Sequence, residues 1–265
     1  MYKLWENGTP LYNEEYGQPE PTLTPYMAGT AGGTKAGCVI VCPGGGYGGR
    51  AAHEGEPIAQ MYNAAGINAF VLNYRVKPYR HPAMLWDIQR AVRFVRYNAR
   101  KWNINPEKIA VLGFSAGGHL ACTGVTLFDY GREDGDEIDR VSCRPDAGIL
   151  CYPVVSFTEP WTHRGSMLNL LGPDAPEELM IRMSGEKAVR DDMPPVFFWH
   201  TGQDTGVPPE NSIAMALAMQ KKNLPYELHI FPNGRHGLGL APSIPETAQW
   251  APLSCTWLKS LGFGG

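Results

Sequence analysis

The hydrophobic positions of this chain follow two alternating patterns. Continuous apolar runs of five to seven residues recur along it, as buried parallel strands do. These runs are Cys38–Cys42, Asn68–Tyr74, Lys108–Phe114, Gly148–Tyr152, Pro195–Thr201 and Tyr226–Phe231. Between them, apolar residues return every three or four positions, as at Leu85, Ile88, Val92 and Val95, which predicts helices. The alternation predicts an α/β fold, with a mostly parallel, twisted sheet and helices on both faces.

Two segments depart from this alternation. Residues 1–37 lack it, and we expect them to form either an antiparallel edge or an N-terminal flap. Residues 153–193 are rich in proline, methionine and charge and fall between two predicted core strands. We interpret them as a short, cap-like insertion over the active site. A length of 265 residues fits one α/β domain over 1–265, since such folds often reach about 250 residues.

Charge and cysteine usage exclude several classes of protein. The net charge is −3 with no run of like charges, so a nucleic-acid surface is not expected. No apolar run approaches the ~20 residues that span a bilayer, and the first residues lack the pattern of a secretory signal. The six cysteines show no C-x-x-C pair and no zinc spacing, which predicts reduced, buried thiols. We therefore expect a cytoplasmic protein without metal, cofactor or membrane partner, and a homo-oligomer stays open.

A candidate nucleophile follows one of the predicted strands. Gly113–Gly117 reads G-x-S-x-G around Ser115, between the run Lys108–Phe114 and a predicted helix over 116–128. A strand, a tight turn and a helix are the setting of a nucleophile elbow. The small flanking residues allow the turn, which lifts the serine hydroxyl above the carboxyl edge of the sheet. The alternative is a serine that only caps a helix.

A serine hydroxyl needs a base, and in this type of fold the acid and the histidine follow the serine in the chain. His236 lies in a turn-rich loop after the run Tyr226–Phe231, whereas His229 alternates with apolar residues inside that run. Asp204 directly follows the run Pro195–Thr201, at the end of the strand that faces the serine. Ser115, His236 and Asp204 are therefore the predicted nucleophile, base and acid, and Asp204 orients the imidazole.

The glycine-rich turn Pro43–Gly49 has two interpretations. It satisfies G-x-G-x-x-G, but the next strand ends without the carboxylate that a dinucleotide site needs. The other interpretation is an oxyanion loop, because backbone N–H groups without side chains can approach a tetrahedral intermediate. Gly45 and Gly46, together with Ala116, are the predicted donors. Gly44 or Tyr47 could donate instead.

Several motifs together resemble a known group of enzymes. They are PGGGY (Pro43–Tyr47), HEGEPIA (His53–Ala59), GFSAGGHLA (Gly113–Ala121), the turn Gly202–Asp204 and Arg235–Gly237. In this order they resemble the bacterial α/β-hydrolases related to acetylxylan esterases and feruloyl esterases, which are relatives of the hormone-sensitive-lipase-like esterases. The resemblance runs from about Cys38 to the C-terminus. Pro43 replaces the histidine of the H-G-G-G motif in the lipase-like group, and the acetylxylan-esterase-like group has proline there.

The resemblance implies an α/β-hydrolase fold and a carboxylesterase that hydrolyses small acyl esters, such as acetyl esters on xylo-oligosaccharides or other sugars. A cytoplasmic enzyme would then act on imported oligosaccharides. Tyr47 and Trp161 are candidate substrate contacts, since aromatic rings suit sugar faces, although packing explains them equally well. An amide-cleaving hydrolase of the formamidase type and a non-catalytic binding protein stay as alternatives.

Overall fold

The computed structural model describes residues 1–29 and 35–264 and contains an eight-stranded sheet. Its strands are β1 (Tyr2–Lys3), β2 (Thr22–Tyr26), β3 (Ala36–Cys42), β4 (Asn68–Asn73), β5 (Ile104–Phe114), β6 (Ala147–Cys151), β7 (Val196–Thr201) and β8 (Tyr226–Phe231). Their order is β1-β2-β4-β3-β5-β6-β7-β8. The pairings from β4 to β8 are parallel, whereas β1 and β2 add an antiparallel edge. The predicted α/β fold is confirmed, and the N-terminal segment supplies an edge of the sheet.

Helices cover both faces of this sheet. They are α1 (Glu56–Ala64), α2 (Ala83–Asn98), α3 (Ser115–Thr126), α4 (Arg164–Leu171), α5 (Glu177–Arg182), α6 (Glu210–Lys221), α7 (Pro245–Ala248) and α8 (Trp250–Ser260). Apolar side chains of α2, α3 and α6 form one core cluster, and those of α1 and α8 form the other. Within the described residues, no helix has both the length and the apolar character to cross a bilayer.

The central strands β3, β6 and β7 read as continuous apolar runs because both of their faces are buried. In β3, Cys38 and Ile40 point into the core cluster on one face, and Val39 and Val41 point into the cluster on the other. All four side chains are inaccessible to solvent. Each buried aliphatic side chain of this size stabilises the fold by about 1.5–3 kcal/mol relative to exposure. All six cysteines are likewise buried as free thiols.

Strand register brings the loops of the candidate site together. Cys42, the last residue of β3, pairs with Gly113 of β5, so the glycine-rich turn and the serine turn leave the sheet side by side. Thr201, the last residue of β7, pairs with Phe231 of β8, so the loops that carry Asp204 and His236 are neighbours as well. All four loops leave from the carboxyl edge of the sheet.

The segment 153–193 lies between β6 and β7 and contains α4 and α5. Its beginning is anchored by Asn211 of α6, whose side-chain oxygen accepts hydrogen bonds from the Val155 and Ser156 amides. Asn169 of α4 donates a hydrogen bond of 2.9 Å to the Gly46 carbonyl. The helix α4 therefore packs against the glycine-rich turn.

An ion pair between Arg75 and Asp87 holds the chain after β4 against α2. Both side chains are fully buried, and the guanidinium donates to both carboxylate oxygens, with a shortest distance of 2.7 Å. The same guanidinium donates to the Pro10 carbonyl, which fastens the N-terminal segment to the core. Asp87 therefore has a structural role, because its carboxylate neutralises the buried charge of Arg75.

Asp87→Ala should lower the free energy of unfolding by about 3–5 kcal/mol, because it leaves the Arg75 charge buried without a partner. Urea unfolding monitored by circular dichroism measures this loss. The matched control is Asp134→Ala, which breaks an exposed pair with Arg132 and should cost about 1 kcal/mol or less. Equal losses in the two variants would contradict the structural role of the buried pair.

Candidate active site

Ser115 lies at a strained turn between β5 and α3. Its φ is +54°, in the left-handed region that residues with side chains rarely adopt. The glycines on either side make this turn possible. A Cβ on Gly113 would overlap the Gly117 carbonyl, and a Cβ on Gly117 would overlap the Cys42 carbonyl. The sequence therefore needs small residues at both positions, and the strained backbone presents the serine hydroxyl at the edge of the sheet.

The structure brings together the three residues that the sequence singled out as nucleophile, base and acid. His236 Nε2 lies 2.7 Å from Ser115 Oγ, and His236 Nδ1 lies 2.6 Å from Asp204 Oδ2. Because the ionised carboxylate can only accept, Nδ1 carries the proton and donates it to Asp204. In the neutral imidazole, Nε2 is then free to accept the serine proton. This is the arrangement that nucleophilic catalysis by serine requires.

The Asp204 carboxylate is buried and held by several donors. The Gly206 and Val207 amides donate to Oδ1 at 3.0 and 2.9 Å, and His236 donates to Oδ2. His200 Nε2 lies 3.5 Å from Oδ2. Burial acts to raise the pKa of Asp204, but the hydrogen bonds from His200, His236 and Val207 outweigh it and hold the pKa well below its usual range. The carboxylate therefore stays ionised at neutral and mildly acidic pH.

The glycine-rich turn carries amide groups that point to no protein acceptor. Gly45 and Gly46 have φ of +133° and +63°, which glycine adopts without strain. Within residues 1–29 and 35–264, neither their amides nor those of Tyr47 and Ala116 donate a hydrogen bond to the protein. The Gly44 amide, in contrast, donates to Glu54 at 2.7 Å. Gly44 is thus excluded as an oxyanion donor, and Gly45, Gly46 and Ala116 stay available, with Tyr47 as the alternative.

Glu54 and Tyr152 connect the two halves of the site. The buried Glu54 carboxylate accepts from the Gly44 amide through Oε2 and from the Tyr152 hydroxyl through Oε1, at 2.7 and 2.5 Å. The Tyr152 hydroxyl in turn accepts from the Gly239 amide at 2.8 Å. The Tyr152 ring packs edge-on against the His236 ring, with centroids 5.1 Å apart. One chain of hydrogen bonds therefore runs from the glycine-rich turn to the histidine loop.

The structure contradicts the prediction that Tyr47 contacts substrate. Its side chain is fully buried, and its hydroxyl lies 2.8 Å from Nδ1 of His119. Nε2 of His119 donates to the Met183 carbonyl, and burial lowers the pKa of this histidine to about 4, so it is neutral and accepts from Tyr47. The backbone of Tyr47 is in the left-handed region, with φ of +59°, and its side chain points into the core. Trp161 is half-buried in the segment before α4, and its contact with substrate stays a prediction.

Sequence reasoning missed Tyr152 and His163. Tyr152 directly follows β6, at the same sheet edge as Ser115, which is a signal that was available. His163 precedes α4, and its Nδ1 accepts a hydrogen bond from the Ser166 amide at 3.2 Å. Burial lowers the pKa of His163, and its electrostatic interaction with His236 lowers it further. No sequence pattern indicates this interaction, because it depends on the path of residues 153–193.

The described residues contain no group of three or more His, Cys, Asp or Glu side chains that could hold a metal ion. His200 and Asp204 are close, but His200 is occupied by other partners. Its Nε2 donates to the Val207 carbonyl at 2.7 Å, and its Nδ1 lies 2.8 Å from the Ser212 hydroxyl. Both nitrogens therefore have protein partners, and neither is available to a metal ion in this arrangement.

Comparison with known proteins identifies relatives of this chain. Residues 26–219 match the BD-FAE family. The chain is 40% identical over 242 residues to endo-1,4-beta-xylanase B of Butyrivibrio fibrisolvens, covering 90% of this chain and 38% of that protein. It is 33% identical over 228 residues to an acetylxylan esterase of Xylanibacter ruminicola, covering 84% and 45%. The chain thus spans less than half the length of these curated relatives.

A solved structure matches over almost its whole length. It is an acetyl ester-xyloside bifunctional hydrolase from Caldicellulosiruptor lactoaceticus, with 49% identity and a TM-score of 0.95. The match covers 100% of this chain and 97% of that one. The resemblance to acetylxylan-esterase-like carboxylesterases of the α/β-hydrolase fold is confirmed.

Tyr152→Phe should lower kcat by about tenfold or more with a smaller change in KM. It leaves Oε1 of Glu54 and the Gly239 amide each without the hydroxyl that they contact, and such a loss costs about 1–3 kcal/mol. Steady-state kinetics on an aryl acetate measures the effect.

The matched control is Tyr62→Phe, which removes a buried tyrosine hydroxyl that lies 2.8 Å from Ser254 and outside the site network. Both variants lose a buried hydroxyl, so equal kinetic losses in the two would show a general structural effect. That result would contradict a positioning role for Tyr152.

Proposed function

This chain belongs to the BD-FAE family, and we propose that it is a serine carboxylesterase that removes small acyl groups, above all acetyl groups, from xylo-oligosaccharides or other acetylated sugars. The observation that carries the proposal is the pair of hydrogen-bond contacts that joins three side chains. Ser115 Oγ lies 2.7 Å from His236 Nε2, and His236 Nδ1 lies 2.6 Å from Asp204 Oδ2. Ser115 in turn lies next to the glycine-rich turn, where a Cβ on Gly44 would fall 3.1 Å from the Ser115 Cβ. The Gly45 and Gly46 amides of that turn have no protein acceptor among the described residues.

The first half of the proposed reaction acylates the enzyme. Ser115 Oγ attacks the carbonyl carbon of the ester while His236 Nε2 takes its proton. The carbonyl oxygen becomes an oxyanion, which accepts from the Gly45, Gly46 and Ala116 amides. Each such donor contributes about 3 kcal/mol of transition-state stabilisation. The bond to the alcohol oxygen then breaks, and His236 returns the proton to the leaving alcohol.

The second half hydrolyses the acyl-enzyme. A water molecule gives its proton to His236 Nε2 and attacks the acyl carbon, and the second tetrahedral intermediate uses the same amide donors. The bond to Ser115 Oγ breaks, the serine regains its proton from His236, and a carboxylic acid leaves. Throughout both halves, the ionised Asp204 stabilises the imidazolium without taking the proton.

The names of the relatives support the choice of an acetylated sugar as substrate. The Xylanibacter ruminicola protein is an acetylxylan esterase, and the solved structure that matches the full chain is an acetyl ester-xyloside hydrolase. The Butyrivibrio fibrisolvens relative is a xylanase. An amide hydrolase of the formamidase type would use the same triad, and rates on an N-formyl amide beside an acetyl ester distinguish the two.

A cytoplasmic site of action stays part of the proposal. Six buried, free thiols are compatible with a reducing compartment. Fractionation of cells of the source organism, with the activity assayed in the supernatant and in the lysate, tests it. Most of the activity in the supernatant of intact cells would contradict it.

The wild-type chain should release acetate from acetylated xylo-oligosaccharides, and Ser115→Ala should lower the rate by at least about 10³-fold, because no other group replaces the nucleophile. Ser260→Ala, which removes an exposed serine hydroxyl near the C-terminus, is the matched control and should keep wild-type activity.

A fluorophosphonate probe should label the wild type and the control but leave Ser115→Ala unlabelled. Full activity in Ser115→Ala would overturn the proposed mechanism. No acetate from the sugar, with aryl acetates still cleaved, would keep the mechanism and overturn the substrate.

A further inference from the structure

A cleft lies beside the proposed reaction centre, between the loop 77–80 and α4. Its volume is about 350 Å³, which is within the range of small-molecule sites, roughly 300–1,000 Å³. Its walls include Lys77, Arg80, Gly165, Leu168 and Asn169. We refer to it as the cationic cleft.

Two hydrogen bonds connect the cationic cleft with the glycine-rich turn. Asn169, which lines the cleft, donates to the Gly46 carbonyl at 2.9 Å. The Lys77 amide donates to the Tyr47 carbonyl at 2.8 Å. Gly46 and Tyr47 of the glycine-rich turn are therefore hydrogen-bonded to the two walls of the cleft, one formed by α4 and the other by the loop 77–80. The cleft therefore adjoins the turn at which the proposed reaction places the ester carbonyl.

The two cationic side chains of the cleft, Lys77 and Arg80, differ from the neighbouring arginines in their lack of an ion-pair partner. Arg75, Arg90, Arg93 and Arg96 each form an ion pair with an aspartate. Arg80 lies in the same part of the chain and is exposed, yet within the described residues it has no carboxylate within 4.0 Å. The same holds for Lys77. Among the described residues, the cleft thus presents two positive charges that form no ion pair with the protein.

Packing restricts the position of Arg80. Its guanidinium lies against Gly172, where a Cβ would fall 2.6 Å from Nη1. Gly172 has a φ of +89°, which glycine adopts without strain, so the turn after α4 leaves space for the guanidinium. The neighbouring His81 amide donates to the Leu170 carbonyl at 2.8 Å, which fastens this loop to the end of α4. A restricted guanidinium loses less entropy when it binds a planar anion.

We propose that the cationic cleft binds a carboxylate carried by the sugar chain of the substrate, such as a uronic-acid branch on an acetylated xylo-oligosaccharide. This inference rests on the proposed function. Arg80 matches a carboxylate with two parallel N–H donors, and Lys77 adds a second charge. Leu168 and the prolines at 78 and 173 supply apolar surface for the face of a sugar ring. The anion is held near the ester rather than at it.

The test compares two acetylated xylo-oligosaccharides of equal length, one with a uronic-acid branch and one neutral. The wild type should show a kcat/KM about three- to tenfold higher on the acidic substrate, since partly exposed ion pairs act at this scale. In the double variant Lys77→Gln, Arg80→Gln, this ratio should fall to about one.

The matched control is Arg100→Gln, Lys101→Gln, which removes the same two charges from the turn before β5, at the opposite edge of the sheet. It should keep the wild-type ratio. Salt supplies an independent measurement on the wild type itself. Raising the salt from about 0.05 to about 0.5 M should reduce the preference for the acidic substrate, because screening weakens exposed charges.

The outcomes separate this inference from the proposed function. Equal rates on both substrates in the wild type would overturn the role of the cleft and leave the esterase intact. A preference that persists in the double variant, or that does not respond to salt, would also overturn it. No acetate from either substrate in the wild type would overturn the proposed substrate class instead.

Discussion

The parallel register of the central strands is the constraint on which the site depends. Since Cys42 pairs with Gly113, the glycine-rich turn and the serine turn must leave the sheet side by side. The two turns then approach so closely that Gly117 has no space for a Cβ against the Cys42 carbonyl. The pairing of β7 with β8 brings the loops of Asp204 and His236 together in the same way. A shift in register would separate the nucleophile from both the amides and the base.

Strand register brings the loops of the site close together, and buried hydrogen bonds then hold these loops in fixed positions. Glu54 accepts from Gly44 and from Tyr152, and Tyr152 accepts from Gly239 in the histidine loop. On the acid side, Gly206 and Val207 hold the Asp204 carboxylate in place. Unpartnered groups at such depth are costly, so these networks restrict the site to one arrangement. The proposed chemistry benefits because its donors are positioned before substrate arrives.

Local patterns were sufficient to predict the six parallel strands, the serine turn and the three side chains, Ser115, Asp204 and His236, that the structure brings together. Each of these depends on a short stretch and on the rule that loops at one sheet edge meet. The prediction for Tyr47 failed because its environment is set by His119 and Met183, which are distant in the sequence. The electrostatic interaction of His163 with His236 and the cationic cleft both depend on the path of residues 153–193. That segment has no periodic pattern, so tertiary contacts decide its position.

The central claim is that an acyl group passes through Ser115. The most direct measurement is mass spectrometry of peptides from enzyme that is acid-quenched during turnover of an acetyl ester. The account predicts one acetyl group on the peptide that contains Ser115, formed and lost at rates compatible with kcat. Acetate release with no acetyl group on the protein, or with an acetyl group on a different residue, would contradict the account.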